Sequence, residues 1–144
     1  MQLFFWLFYA MIMGYVELLE KKKIKMKKIL IIEDEKPIAR VLSLKLTREG
    51  FETKMANDGE EGMNIVEKES FDLILLDLVM PKMDGFSTLK ALNEKKIKTP
   101  VIVLSNLSQE DDEKKARELG AKDFFVKSNT PISGVVEMAS KILK

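Results

Sequence analysis

Four polar residues follow apolar runs in a way that lets them share one chemistry: Asp34, Asp77, Ser105 and Lys127. Asp34 lies in Glu33-Asp34-Glu35 after Lys28-Ile29-Leu30-Ile31-Ile32, and Asp77 closes Asp72-Leu73-Ile74-Leu75-Leu76. Ser105 follows Val101-Ile102-Val103-Leu104, and Lys127 follows Asp123-Phe124-Phe125-Val126. A carboxylate such as Asp77 can accept a phosphoryl group as an acyl phosphate. Asp34, helped by Glu33, supplies the one or two carboxylates that Mg²⁺ takes alongside water and substrate oxygens. Carboxylates brought together otherwise repel, unless a cation neutralises them or one keeps its proton. Lys127 offers a point charge to one phosphoryl oxygen, and the Ser105 hydroxyl can donate to another.

The elements that must position these groups follow from the apolar pattern. Runs of mostly branched residues predict strands buried on both faces, as in a parallel sheet. Such sheets bind ligands in the crevice outside the carboxyl ends of their strands. From Lys28 onward strand and helix patterns alternate every ten to fifteen residues, which predicts βα units. The first helix of this body runs from about Lys36 to Glu49, with Pro37 in its first turn and Gly50 at its end. Phe51–Ala56 is a second strand, Asn57-Asp58-Gly59 a turn, and a helix continues to about Glu69. After Leu73–Leu76 a helix starts near Asp84-Gly85, a pair assigned no chemistry. Ser108, with Asp111 three residues on, predicts a capped helix that ends at Gly120. The last helix spans Pro131 to Leu143. By fold analogy the expected fold is α/β, a doubly wound five-stranded parallel sheet of order 2-1-3-4-5. That order sets strands one, three, four and five side by side, so all four polar residues meet at one edge.

Composition narrows the function classes. The chain has no cysteine and no histidine, which removes disulfides, thiolate metal sites and any His-ligated zinc. Six lysines fall within residues 1–28 against Glu17 and Glu20. Of the chain's 24 basic and 23 acidic residues, 18 and 21 remain in residues 29–144, a formal charge of −3. A mildly acidic body argues against direct nucleic-acid binding, which needs a basic surface. Residues 1–25 stand apart as an extension to a domain at 26–144. Leu3 to Val16 is almost wholly apolar, and lysines follow from Lys21. Two readings stay open for it. Met26-Lys27-Lys28-Ile29-Leu30 is itself a natural opening, which makes residues 1–25 an over-extended start. Alternatively residues 1–20 are a membrane anchor whose lysine run stays cytoplasmic.

The stretches Ile29-Leu30-Ile31-Ile32-Glu33-Asp34-Glu35, Leu73–Gly85 with its Asp77 and Met80-Pro81, Val101–Ser105, and Phe124-Phe125-Val126-Lys127 occur in order on the expected elements. In these the chain resembles the receiver domain of two-component response regulators, the CheY-like, flavodoxin-like (βα)5 fold, over Met26 to Lys144. The resemblance implies that Asp77 is the phosphoacceptor for a sensor histidine kinase or a phosphotransfer protein. It implies Mg²⁺ ligation by Asp34, Asp77 and the Val79 backbone carbonyl, with Glu33 in the second acidic position. Phe124 takes the place of the aromatic switch residue, without the hydroxyl of the frequent tyrosine. The readout face implied is the fourth helix, fifth strand and fifth helix of the body, met by a downstream protein reader. The resemblance further implies a cytoplasmic signalling phosphoacceptor rather than a turnover enzyme; with nothing after the last helix a stand-alone receiver is expected, held at the inner face of the membrane if the N-terminal segment is an anchor. One departure stands out: Ser128 follows Lys127 where the family usually has proline, often in a cis peptide.

Other classes fit the residues less well. A flavodoxin needs a Ser/Thr/Gly-rich phosphate cradle where Glu33-Asp34-Glu35 would repel phosphate. A haloacid-dehalogenase-type phosphatase needs a second Asp two residues after its nucleophile, and Val79 stands there. A pseudo-receiver that only binds partners would normally lack the acids or the lysine. Singly, Ser105 could cap a turn, Lys127 could be a solvated loop lysine, and Phe124 could be ordinary packing. Asp77 resists such readings, because an acid closing an apolar strand is a costly structural choice. Val79 and Leu107 flank the expected path of attacking water, and being apolar they predict slow self-dephosphorylation.

Overall fold

The computed structural model describes residues 1–24, 26–107 and 109–144. Its elements in order are α1 (Gln2–Ile24), β1 (Lys28–Ile32), α2 (Lys36–Arg48), β2 (Glu52–Ala56), α3 (Gly59–Lys68), β3 (Leu73–Leu76), α4 (Gly85–Glu94), β4 (Val101–Ser105), α5 (Glu110–Glu118), β5 (Asp123–Val126) and α6 (Ile132–Leu143). The strands form one sheet of order β2-β1-β3-β4-β5, every pair parallel, as the alternation predicts.

Because successive strand side chains point to opposite faces, each apolar strand feeds two cores. Leu30, Ile32, Ile74, Leu76, Val101 and Val103 join Phe124 on the face covered by α3, α4 and α5. Ile29, Ile31, Leu73, Leu75, Ile102 and Leu104 join Leu42, Leu46 and Val135 on the face covered by α2 and α6. The runs with no polar member are thus the central strands β1, β3 and β4, buried on both sides. β2 lies at an edge and exposes Glu52, Lys54 and Met55.

Local signals set most boundaries. Pro37 sits in the first turn of α2, and Gly50 (φ 94°) and Gly120 (φ 105°) take the left-handed conformation just past α2 and α5. Asp84 caps α4 by accepting from Ser87 N–H at 2.8 Å. The Asn57-Asp58 turn proves to be a cap as well. Asp58 accepts from Glu61 N–H at 2.8 Å, while Glu61 accepts from Asn57 N–H at 2.7 Å. At α5 the expectation is corrected: the N-cap is Gln109, which makes no side-chain capping bond. Ser108, expected as that cap, lies outside the described residues. Four acids, Glu110 to Glu113, crowd the first turn and favour the helix dipole instead.

Candidate functional site

The backbone ladder carries the acids to one edge. Beyond the Ile32–Leu76 pair, Asp77 N–H donates to Ile32 C=O at 3.0 Å and Glu33 N–H donates to Ala56 C=O at 3.0 Å. One more step of the β4–β5 ladder does the same for the lysine, whose N–H donates to Ser105 C=O at 2.8 Å. Strand ends that stay in register for one residue past the apolar run therefore fix Glu33, Asp77, Ser105 and Lys127 as neighbours.

Their side chains converge. Lys127 Nζ lies 2.7 Å from Glu33 Oε2, 3.4 Å from Asp77 Oδ2 and 3.8 Å from Glu35 Oε1. The buried ammonium is thus ion-paired to Glu33 and Asp77, and most closely to Glu33. Carboxylate oxygens of Glu33, Asp34 and Asp77 all lie within 4.8 Å of one another. Glu33 and Asp77 are only 3 % and 4 % exposed, whereas Asp34 is half-buried.

Crowding and burial shift the acids toward their neutral forms. Burial, reinforced by the charge of Asp77, pushes the Glu33 carboxyl up to about 7 against the pull of Lys127. Burial also raises Asp77, with Asp34 adding to the effect and Lys127 opposing it. Burial works against the Lys127 ammonium, yet Glu33 and Asp77 outweigh it and hold the lysine above its ordinary value. Three clustered carboxylates facing one ammonium are short of positive charge. All the donors are hard oxygens, the set that suits Mg²⁺.

The remaining expected residues are near, in particular postures. Val79 N–H donates to Asp77 Oδ1 at 3.3 Å, and its side chain is 56 % exposed. Ser105 is the last residue of β4 and fully buried; its Oγ accepts from Leu107 N–H at 3.2 Å, the turn-capping posture. Phe124 is 8 % exposed and packed in the core, so in this conformation it already points inward. No described peptide is cis, and Lys127 reaches the acids with Ser128 following it in a trans linkage.

Sequence reasoning gave the Asp84-Gly85 pair no role, and here the structure adds one. A Cβ on Gly85 would lie 2.4 Å from Asp77 O and 2.5 Å from Leu78 Cα, and Gly85 N–H donates to Leu78 C=O at 2.9 Å. Gly59 is equally enclosed, with Thr88 Oγ1 2.1 Å and Met83 O 2.6 Å from the place of its Cβ. Both glycines let the segment after Asp77 fold back against its neighbours. The signal available was the glycine after a capping aspartate, in Asp58-Gly59 and again in Asp84-Gly85, but it reads equally as a plain helix start.

Residues 29–137 match the model of the response regulator receiver domain. The chain belongs to that family. Among solved structures, the receiver domain of Francisella response regulator 1452 superposes with a TM-score of 0.77 at 31 % identity, covering 81 % of this chain and 96 % of that one. The Thermotoga maritima response regulator TrrA, solved in complex with Mg²⁺ and BeF, superposes at 0.72 with 29 % identity, covering 81 % and 99 %. Among curated proteins, the alkaline phosphatase synthesis transcriptional regulatory protein PhoP of Bacillus subtilis is 39 % identical over 105 residues, 73 % of this chain and 44 % of PhoP. The transcriptional regulatory protein DltR of Streptococcus agalactiae is 37 % identical over 69 % of this chain and 45 % of its own length. The receiver thus spans less than half the length of these curated relatives.

Proposed function

We propose that this receiver takes a phosphoryl group onto Asp77 from the phosphohistidine of a sensor kinase or phosphotransfer protein. The observation that carries the reading is the buried Asp77 carboxylate, 3.4 Å from the Lys127 ammonium and within reach of two further acids. A carboxylate oxygen of Asp77 forms the new P–O bond as the P–N bond of the donor breaks, and its electron pair leaves with the partner's imidazole. Lys127 holds one phosphoryl oxygen, and this requires it to turn from Glu33. Ser105 donates its hydroxyl to another oxygen once it releases Leu107 N–H.

Glu33, Asp34, Asp77 and the Val79 carbonyl are the groups that would hold Mg²⁺; when bound, it would neutralise the crowded acids and lower the repulsion between anionic donor and anionic acceptor. Signalling then runs through the face made by α5, β5 and α6, beside Ser105 and Phe124, to a protein reader in the cytoplasm. PhoP and DltR are named as transcriptional regulators, which suggests that the reader feeds transcription. The acidic body gives the receiver itself no surface for nucleic acid. It is a signalling phosphoacceptor rather than a turnover enzyme. Val79 and Leu107 offer no group to orient an attacking water, so the phosphorylated form is long-lived.

Intact mass after incubation with acetyl phosphate tests this. A single Mg²⁺-dependent phosphoryl adduct, lost in Asp77→Ala, is expected. A folded domain without an adduct would make it a pseudo-receiver.

A further inference from the structure

The receiver reading leaves α1 without a role. This helix runs unbroken from Gln2 to Ile24, and none of its apolar span Gln2–Lys22 is buried. Every position from Leu3 to Tyr9 exposes a large apolar side chain, and at about 3.6 residues per turn seven consecutive positions go almost twice round the helix. A helix that packs on a protein shows one apolar stripe, and one that lies in a membrane surface shows a charged face. α1 has neither, since its first charged side chain is Glu17. Nor can the sheet accept it, because both faces are already covered by α2 to α6.

Length and charge name the partner. The 21 residues of the span rise about 31 Å at ~1.5 Å each, against a bilayer hydrocarbon core of about 30 Å. Glu17 and Glu20 fall in the last two turns of the span, within about 8 Å of its lysine end at ~1.5 Å per residue, where their carboxylates can reach toward the headgroups. In the sequence six lysines, from Lys21 to Lys28, follow the apolar stretch directly, from the last turn of α1 to the start of β1. Lysine is the residue enriched on the cytoplasmic side of spans and drawn to anionic lipid. Trp6 lies toward the N-terminal end of the span, where an amphipathic ring favours the interface.

We propose that α1 spans a lipid bilayer with its lysine end in the cytoplasm, tethering the receiver to the inner face of the membrane. Only the choice of compartment leans on the phosphoacceptor reading. The full chain, expressed in bacterial cells, is expected to float with membranes in a density gradient, to stay through high salt and alkaline carbonate, and to leave with detergent. Protease added outside spheroplasts is expected to spare the receiver. Placing two charges mid-span, in a full-length Phe8→Lys, Ile12→Lys variant, is expected to move the chain to the supernatant. That variant should still form the Asp77 adduct, showing that the receiver remains folded. The proposal is overturned by a soluble or sedimenting wild type, release by salt, digestion from outside, an unmoved variant, or a chain from the source cells that begins at Met26. Membrane retention without an adduct upholds the anchor and counts against the phosphoacceptor reading alone.

Discussion

Where the strands begin, Lys28 Nζ lies 2.5 Å from Glu69 Oε1, Lys54 Nζ lies 2.8 Å from Glu69 Oε2, and Lys28 N–H donates to Asp72 at 2.8 Å. Where the strands finish, Glu33 and Asp77 crowd around Lys127, with the Asp34 carboxylate beside theirs. At the opening end the charges match, and the shifts favour charge: the two lysines hold Glu69 below the usual carboxylate range, and Glu69 raises Lys28. At the closing end burial pushes Glu33 and Asp77 the other way. One end fastens the sheet, while the other holds an excess of negative charge that a cation can relieve. The difference lies in how many opposite charges each acid meets and how far it is removed from water.

The strongest way to break this contrast is Lys127→Met. It leaves Glu33 and Asp77 buried with no counter-charge, so the metal-free domain is expected to lose roughly 2–3 kcal/mol in urea melts near neutral pH. The loss should shrink in acid, where the two carboxyls take up protons. If stability is unchanged at pH 8, Lys127 does not neutralise the pair. Next comes Gly85→Ala, whose Cβ would press on Asp77 O and Leu78 Cα. A loss of about 2 kcal/mol is expected, with slower acetyl phosphate labelling of Asp77 even where the variant is folded. Normal labelling would show that the close approach serves packing alone.

A smaller effect of opposite sign is expected for Glu33→Gln. A carboxyl raised to about 7 keeps in the fold a proton that the unfolded chain has already released. Its favourable contribution is therefore whole below about pH 4.5 and is lost as pH rises toward 7. The metal-free variant should be about 1 kcal/mol more stable than wild type at pH 8, a fraction of the full linkage because Lys127 and solvent screen the site. No gain is expected at pH 5, and saturating Mg²⁺ should reverse the order. Equal melts in EDTA across this range would remove the claim of crowding. The smallest change is expected at the opening end. Glu69→Gln should lower the melting midpoint slightly at pH 7, less so in high salt. Since Glu69 is lowered rather than raised, its contribution is present at neutral pH and fades as pH falls. A pH trend like that of Glu33 would erase the distinction between the two ends.

The legible part of this protein was whatever a single segment could show. Ile29 to Ile32 and Leu73 to Leu76 have no polar member, so they had to be buried on both faces, and the alternation with helices then predicted parallel strands, their order following by fold analogy. The acids, Ser105 and Lys127 were visible as polar residues ending such runs. The cap at α5 was misplaced because Ser, Gln and acids in succession offer several equivalent starts. Glu61 as half of a cap and Gly59 as a contact were missed because a turn signal explains both equally well.

Sequence alone determined the strand runs, their parallel direction and the polar residues that end them, because side-chain period and apolar runs act along the chain; the order that brings four of those residues to one edge came from fold analogy. Tertiary structure alone decided that Lys127 sits closest to Glu33, that Glu33 is held near neutrality, that the Ser105 hydroxyl is engaged by Leu107, that Phe124 points inward, and that Gly85 touches Asp77. These facts depend on distances across space between elements tens of residues apart, and burial, which sets the strength of each charge, exists only once the sheet and its helices have closed around it.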